Sequence, residues 1–289
     1  MAISGPEQPL VGVLYDESRR HWGEPARPRP VRIHLWEPDA PPAGPAPPAV
    51  VSHGTGGSGG DMEWLVRPLR EAGLRVLTLD HHGNDSVDGY EPEGFPPVWE
   101  RPWDVSFALD TLARKRQLGP VGAAGFSLGT HTAVALAGAR LDTDLPWAVL
   151  SGAAPLPDIP EFPGVLEAYR KKYPDDLSVR RAIDGAGADL SDARVRAVFQ
   201  VAPGVGGFVT PGSLAAIRVP GGIRWGGADT VNPYEADTRP YVQRIPTASG
   251  RCAGAHVRHD DFPAPEPADP AVRHRVGGEA AVFCARHLR

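Results

Sequence analysis

Val121-Gly122-Ala123-Ala124-Gly125-Phe126-Ser127-Leu128-Gly129 is the stretch on which the reading of this chain turns. Residues 121–126 form a short uncharged run, of a length that suits a strand buried on both faces. Residues 128–140 follow with no linker and are small and apolar on every side, the pattern of a buried helix. Ser127 therefore falls on a strand-to-helix turn, with Gly125 and Gly129 two residues to either side in the pattern G-x-S-x-G. Such a turn is strained, and side chains at the flanking positions would collide with strand and helix. It lifts the hydroxyl above the sheet, at a helix N-terminus whose free N–H groups favour developing negative charge. That makes Ser127 a candidate nucleophile, against the plainer role of an N-capping serine. A second match, Gly56-Gly57-Ser58-Gly59-Gly60, sits in a glycine run several residues beyond its strand and lacks this context.

Upstream, residues 11–15 and 31–36 read as strands. Val31, Ile33 and Leu35 alternate with Arg32 and His34, the period of a half-buried strand. Ala49-Val50-Val51-Ser52 is a short apolar strand, followed by a glycine-rich turn over 54–60. Met62, Leu65, Val66 and Leu69 carry helical spacing, and Pro68 inside it predicts a kink or a start near Arg67. Residues 74–79 are a further strand. Val105, Ala108, Leu109 and Leu112 predict a helix with Asp104 at its front and Arg114, Lys115 and Arg116 in its last turn. Downstream, 195–201 and 219–225 read as strands and 278–288 as a closing helix. Short strands alternating with helices give an α/β class, with a mostly parallel central sheet flanked by helices. Residues 1–289 are expected to form a single domain. Residues 152–193 fit the alternation poorly: Pro155, Pro157, Pro160 and Pro163 precede helical patches near 165–173 and 177–183. They read as a small cap or lid insertion over one end of the sheet.

With 289 residues, 41% hydrophobic and 22% charged, the chain can bury a sizeable core and is not a disordered polymer. Its 34 glycines and 33 prolines show no collagen-like period and point instead to many ordered loops. The net charge is −5 and the basic residues are nearly all Arg, without the clustered positive charge of a nucleic-acid binder. No apolar run approaches the ~20 residues of a membrane span. The N-terminus lacks the basic and apolar regions of a signal peptide, so a cytoplasmic location is expected. Cys252 and Cys284 lack metal-ligand spacing and are expected to be reduced. His81 and His82 resemble a metal pair, but adjacent side chains rarely converge on one ion, and no metal is expected. No exposed apolar stripe identifies an oligomeric state.

A serine nucleophile needs an oxyanion site, a base and an orienting acid. The loop His53-Gly54-Thr55-Gly56-Gly57 follows an earlier strand and can present a backbone N–H. The expected pair of donors is the N–H of Leu128 and that of Thr55, with His53 holding the loop. The same loop also spells G-x-G-x-x-G over 54–59 with Asp80 some twenty residues on, a dinucleotide-binding pattern. That rival places the motif some fifty residues into the chain and leaves Ser127 without a role. Triad members on this architecture follow in the order Ser, Asp/Glu, His. Asp229 lies on the turn after the strand 219–225 and is the candidate acid; its plainer role is an Asx-turn at Asn232-Pro233. His256 and His259 both lie where the base is expected, and periodicity does not choose between them. Gly54, Gly56, Trp99 and Trp103 are placed by position at the substrate site, beside the insertion.

These residues resemble the α/β-hydrolase superfamily, in particular a serine-dependent branch similar to dienelactone hydrolases and platelet-activating-factor acetylhydrolases. The resemblance runs in order through Asp16-Glu17-Ser18-Arg19, Arg32-Ile33-His34-Leu35-Trp36-Glu37-Pro38, the His53 loop, the Ser127 turn, Ser213-Leu214-Ala215-Ala216-Ile217-Arg218-Val219-Pro220 and Gly227-Ala228-Asp229. The branch commonly places a phenylalanine three positions after its catalytic histidine. His259 with Phe262 satisfies this, so the resemblance tilts the base toward His259. Ala255 departs from the branch's usual Gly-His pair at His256. True dienelactone hydrolases use cysteine, so serine here argues against that strict activity. The resemblance implies a hydrolase of carboxylic esters, lactones or thioesters, acting on a small-molecule acyl substrate with no cofactor. Amidase, acyltransferase and thioesterase chemistry would use the same triad, and a non-catalytic binding protein would keep only the pocket.

Overall fold

The computed structural model describes residues 8–40, 44–155, 159–173, 183, 185–264, 267 and 269–288. Ten strands are described: β1 (Leu10–Arg20), β2 (Pro28–Trp36), β3 (Pro48–Ser52), β4 (Arg75–Asp80), β5 (Asn84–Asp85), β6 (Gly89–Tyr90), β7 (Val121–Phe126), β8 (Val195–Val201), β9 (Gly221–Gly226) and β10 (Ala248–Gly254). The described α-helices are α1 (Glu63–Glu71), α2 (Glu100–Ala113), α3 (Leu128–Ala135), α4 (Asp144–Ser151), α5 (Val165–Lys172), α6 (Pro211–Ala216), α7 (Arg239–Arg244) and α8 (Pro270–His287). Eight strands make one sheet in the order β1-β2-β4-β3-β7-β8-β9-β10, and β5 with β6 forms a separate small hairpin. Within the large sheet β2 alone runs against its neighbours, pairing antiparallel with β1 and β4. The remaining pairings are parallel.

Successive strand side chains point to opposite faces, which divides the core in two. Val50, Leu77, Leu79 and Ala123 pack with Val105, Ala108 and Leu109 of α2 and with Ala133 and Val134 of α3. Ala49, Val51, Val76, Ala124 and Phe199 pack on the other side, with Leu65 and Leu69 of α1 and Val276 and Ala280 of α8. Because β3, β7, β9 and β10 are parallel, the loops after them leave the same edge of the sheet. Residues distant in sequence meet there.

Several boundaries differ from the sequence expectation. Pro68 lies inside α1, which starts at Glu63 rather than near Arg67. α2 starts at Glu100, a turn before Asp104, and ends before Arg114, Lys115 and Arg116. α3 stops at Ala135, short of residue 140. α8 starts at Pro270, eight residues before 278, with the Asp269 carboxylate accepting from Ala271 N–H. The helical patch expected near 177–183 lies outside the described residues except for Ile183. Cys252 is exposed and Cys284 buried, and both thiols are free. Among the described residues no helix is long and apolar enough to cross a membrane.

Candidate active site

The turn between β7 and α3 holds Ser127 at φ 54° and ψ −125°. Residues with a side chain rarely occupy this region, and such strain persists where the surroundings enforce it. Here Ser127 N–H donates to Val201 O at 3.0 Å, and its carbonyl accepts from Thr130 N–H at 3.0 Å and from the Thr130 hydroxyl at 2.6 Å. A Cβ on Gly125 would lie 2.1 Å from Gly129 O, and one on Gly129 would lie 2.1 Å from Ser52 O. Both glycines are required by backbone approaching backbone.

The Ser127 hydroxyl donates to His259 Nε2 at 3.1 Å, and His259 Nδ1–H donates to Asp229 Oδ2 at 2.8 Å. All three side chains are buried. The other oxygen of Asp229 accepts from Val231 N–H at 3.0 Å and Asn232 N–H at 2.8 Å. One carboxylate thus closes an Asx-type turn and faces the imidazole at once. The His259 ring lies 4.8 Å from Phe126, centroid to centroid, and Phe262 is buried behind it against Phe126 and Trp64. His256 is exposed, with Nε2 3.4 Å from Asp269 Oδ2. The structure therefore brings Ser127, Asp229 and His259 together and leaves His256 outside. It adds Asn232, whose Nδ2 donates to Ser127 Oγ at 3.3 Å and to Ala202 O at 2.9 Å. Sequence reasoning read Asn232 as a turn residue only; its place on the loop of Asp229 was the available signal.

The loop after β3 passes against Ser127: a Cβ on Gly54 would lie 3.1 Å from Ser127 Cβ. Gly56 has φ +65°. Its N–H donates to Asn84 Oδ1 at 2.7 Å and its carbonyl accepts from the Tyr90 hydroxyl at 2.8 Å, so it shapes the loop. The N–H groups of Thr55 and Leu128 have no hydrogen-bond partner among the described residues. Both residues line a cavity of about 180 Å³, whose walls are mostly apolar and include Trp99, Leu150 and Phe208. Ile159 and Val165 bring residues of the 152–193 segment to the same cavity. Trp103 does not line it; its ring packs toward Gly185, where an added Cβ would lie 2.9 Å away.

The glycine loop is not arranged for a pyrophosphate. Gly59 N–H donates to Asp80 Oδ1 at 2.6 Å and Ser58 N–H to Asp61 Oδ2 at 2.8 Å. Carboxylates occupy the donors that a phosphate would need. His81 and His82 diverge. His81 Nε2 lies 2.7 Å from Ser52 Oγ in the interior, while His82 Nε2 accepts from Trp22 N–H at 3.2 Å. His21 and Glu91 approach His82, with Glu91 Oε1 3.8 Å from His21 Nδ1 and 4.0 Å from His82 Nε2. That His21 nitrogen already accepts from Gly23 and Glu24 N–H at 3.1 and 3.2 Å. The cluster ties down the turn after β1 rather than offering free lone pairs to a cation.

A sheet of this order, with a strained serine at its centre and an imidazole from the chain's last quarter facing it, is the α/β-hydrolase fold. Solved structures of similar fold include esterase 2 of Thermogutta terrifontis phosphorylated by paraoxon (TM-score 0.61, 15% identity, covering 97% of this chain and 95% of that one). An alpha-beta serine hydrolase homologue from Coxiella burnetii has TM-score 0.55 and 12% identity, covering 96% of this chain and 99% of its own. The esterase domain of a Rhodothermus marinus protein has TM-score 0.55 and 12% identity, over 98% and 100% of the two chains. At such identities the likeness is one of fold. No protein-family model and no curated protein matches the sequence.

Proposed function

We propose that the protein is a serine hydrolase of carboxylic esters. The observation that carries this reading is the His259 ring spanning Ser127 Oγ at 3.1 Å and Asp229 Oδ2 at 2.8 Å. His259 takes the hydroxyl proton as Ser127 attacks the acyl carbonyl, and Asp229 fixes the tautomer and stabilises the imidazolium. Thr55 and Leu128 N–H groups receive the developing oxyanion. The alcohol leaves with a proton from His259. Water activated by the same ring then releases the acyl group from Ser127. The apolar cavity takes an uncharged acyl chain, with Trp99 on its wall and the 152–193 segment as its cap. Gly54 lets the loop reach the reacting carbon. The similarity to the dienelactone-hydrolase and platelet-activating-factor-acetylhydrolase branch supports the same reading, with serine chemistry in place of the cysteine of the former.

A fluorophosphonate probe and a p-nitrophenyl ester series of graded acyl length, with a lactone and a thioester beside them, test this. Wild type is expected to label and turn over, Ser127→Ala to do neither, and His259→Ala to lose at least about a thousandfold in kcat while His256→Ala stays within about twofold. Label persisting on Ser127→Ala, or equal rates for the two histidine variants, would remove the assignment.

A further inference from the structure

A buried cation lies behind the oxyanion loop, and the steps above do not use it. Arg101, in the first turn of α2, is 2% exposed. Its Nη1 donates to His53 O at 2.8 Å and its Nη2 to Gly54 O at 3.4 Å. The Gly54 carbonyl also accepts from His53 Nδ1–H at 2.7 Å. The tautomer follows from the other ring nitrogen: His53 Nε2 accepts from His81 N–H at 3.2 Å, so the proton sits on Nδ1. His81 is held in turn by Ser52 Oγ, at the end of β3.

The Gly54 carbonyl and the Thr55 N–H are opposite ends of one planar trans peptide, so fixing the oxygen fixes the direction of the N–H. With the oxygen gripped by imidazole and guanidinium, the N–H faces away from both. Positive charge at the carbonyl end also polarises the amide and strengthens its N–H as a donor. Gly54 itself lies against Ser127. We infer that Arg101 is a positioning residue which, together with His53, holds the Gly54–Thr55 peptide so that the Thr55 N–H meets the oxyanion formed at Ser127. This rests on the serine-hydrolase reading.

Stability alone gives little reason for this arrangement. Arg101 Nε has no hydrogen-bond partner among the described residues. Burial drags the guanidinium down to about 9, against the opposing charges of Asp104 and Asp85. Locally unfavourable groups of this kind are retained where function needs them. The same charge adds to burial in keeping His53 neutral, at about 3, so its Nε2 stays an acceptor and the tautomer stays fixed.

The test uses the full chain, with Arg101→Met and Arg101→Lys assayed beside wild type on one p-nitrophenyl ester. Circular dichroism checks folding, and a trifluoromethyl ketone serves as a mimic of the tetrahedral oxyanion. Loss of an oxyanion donor costs roughly 100- to 1000-fold in kcat, and a misaimed one is expected to cost about 10- to 100-fold. KM should stay within about twofold, and ketone affinity should weaken in proportion to kcat/KM. Arg101→Lys keeps the charge without the fork and should recover only part of the rate. Folded Arg101→Met with kcat within twofold of wild type, or a loss confined to KM, would overturn the inference alone. Failure of both variants to fold would reassign Arg101 to stability and overturn it too. A wild type that neither labels with fluorophosphonate nor hydrolyses any ester would remove the hydrolase reading and this inference together.

Discussion

Ser127 combines two demands that a free chain would not meet together. Its hydroxyl must stand clear of the sheet, and its backbone must turn from β7 into α3 within one residue, at φ 54° and ψ −125°. A strained conformation of this kind costs about 1–3 kcal/mol, while glycine reaches positive φ without the steric penalty but loses more entropy on folding. Ser127→Gly is therefore expected to raise stability by about 1 kcal/mol over Ser127→Ala, which keeps the strain, though neither variant is active. Urea midpoints of the two variants measure the difference, and a lower midpoint for the glycine variant would contradict the strain argument. At this scale the sequence was informative because the turn's geometry dictates residue type: Gly125 and Gly129 are legible since no side chain fits. Asn232 and Arg101 were not legible, because an amide or guanidinium acting across the fold leaves no spacing signal.

At the scale of elements, α2 is fixed to the first two strands by buried charge. Arg29 on β2 grips Asp104 through two bonds of 2.8 Å, and Arg19 on β1 bonds Asp16 and Glu100 and approaches Asp104 at 2.8 Å. Removing one member of a buried pair costs about 3–5 kcal/mol where the other charge is left uncompensated. Here Arg19 still faces Asp104, so the loss falls toward or below the lower end. Arg29→Met is expected to lose about 2–3 kcal/mol in urea unfolding, and Arg29→Met with Asp104→Leu to lose less than the sum of the single variants. Strict additivity would mean that the pair is not a unit. Since α2 carries Trp99 at its cap and Arg101 in its first turn, the single variant should also slow ester turnover. Periodicity located this helix from its apolar residues and so missed its start, where Glu100, Arg101 and Pro102 make a first turn that needs no intrahelical N–H. α8 was cut short for a similar reason. Gly277 and Gly278 look like a boundary, yet Gly277 is interior and lets Pro68 of α1 pack close, where a Cβ would meet its ring at 2.9 Å. β10 carried no alternating apolar pattern because it is a largely exposed edge strand, held by its parallel register with β9.

Over the whole molecule, histidines buried in neutral form set how stability depends on pH. Burial pushes His53 and His82 down to about 3 and His131 to about 4, and lowers His81 as well; Arg101 reinforces this at His53, His81 and His131, and Arg29 does so at His82. In the unfolded chain these rings titrate near 6.5. Between that value and the folded one, the unfolded state binds more protons, so each ring's contribution is complete above pH 6.5 and drains away as pH falls toward 4 and 3. Asp85 and Asp237 act in the opposite sense. Burial raises both to about 6, so the folded state holds extra protons between about 4 and 6 and their stabilisation fades as pH rises through that window. Glu91 and Glu100 are raised by burial too. The ion-paired or hydrogen-bonded Asp16, Glu37, Asp80, Asp104, Asp189 and Asp192, however, are lowered and side with the imidazoles. The melting temperature is therefore expected to fall as pH drops from 6.5 to 4. His131 separates the contributions. Neither of its ring nitrogens has a hydrogen-bond partner among the described residues, and it sits in the buried helix α3. His131→Leu should therefore flatten the slope of melting temperature against pH between 6.5 and 4, with little loss at pH 7. Parallel curves for wild type and variant would show that His131 is not among the groups that destabilise the fold in acid.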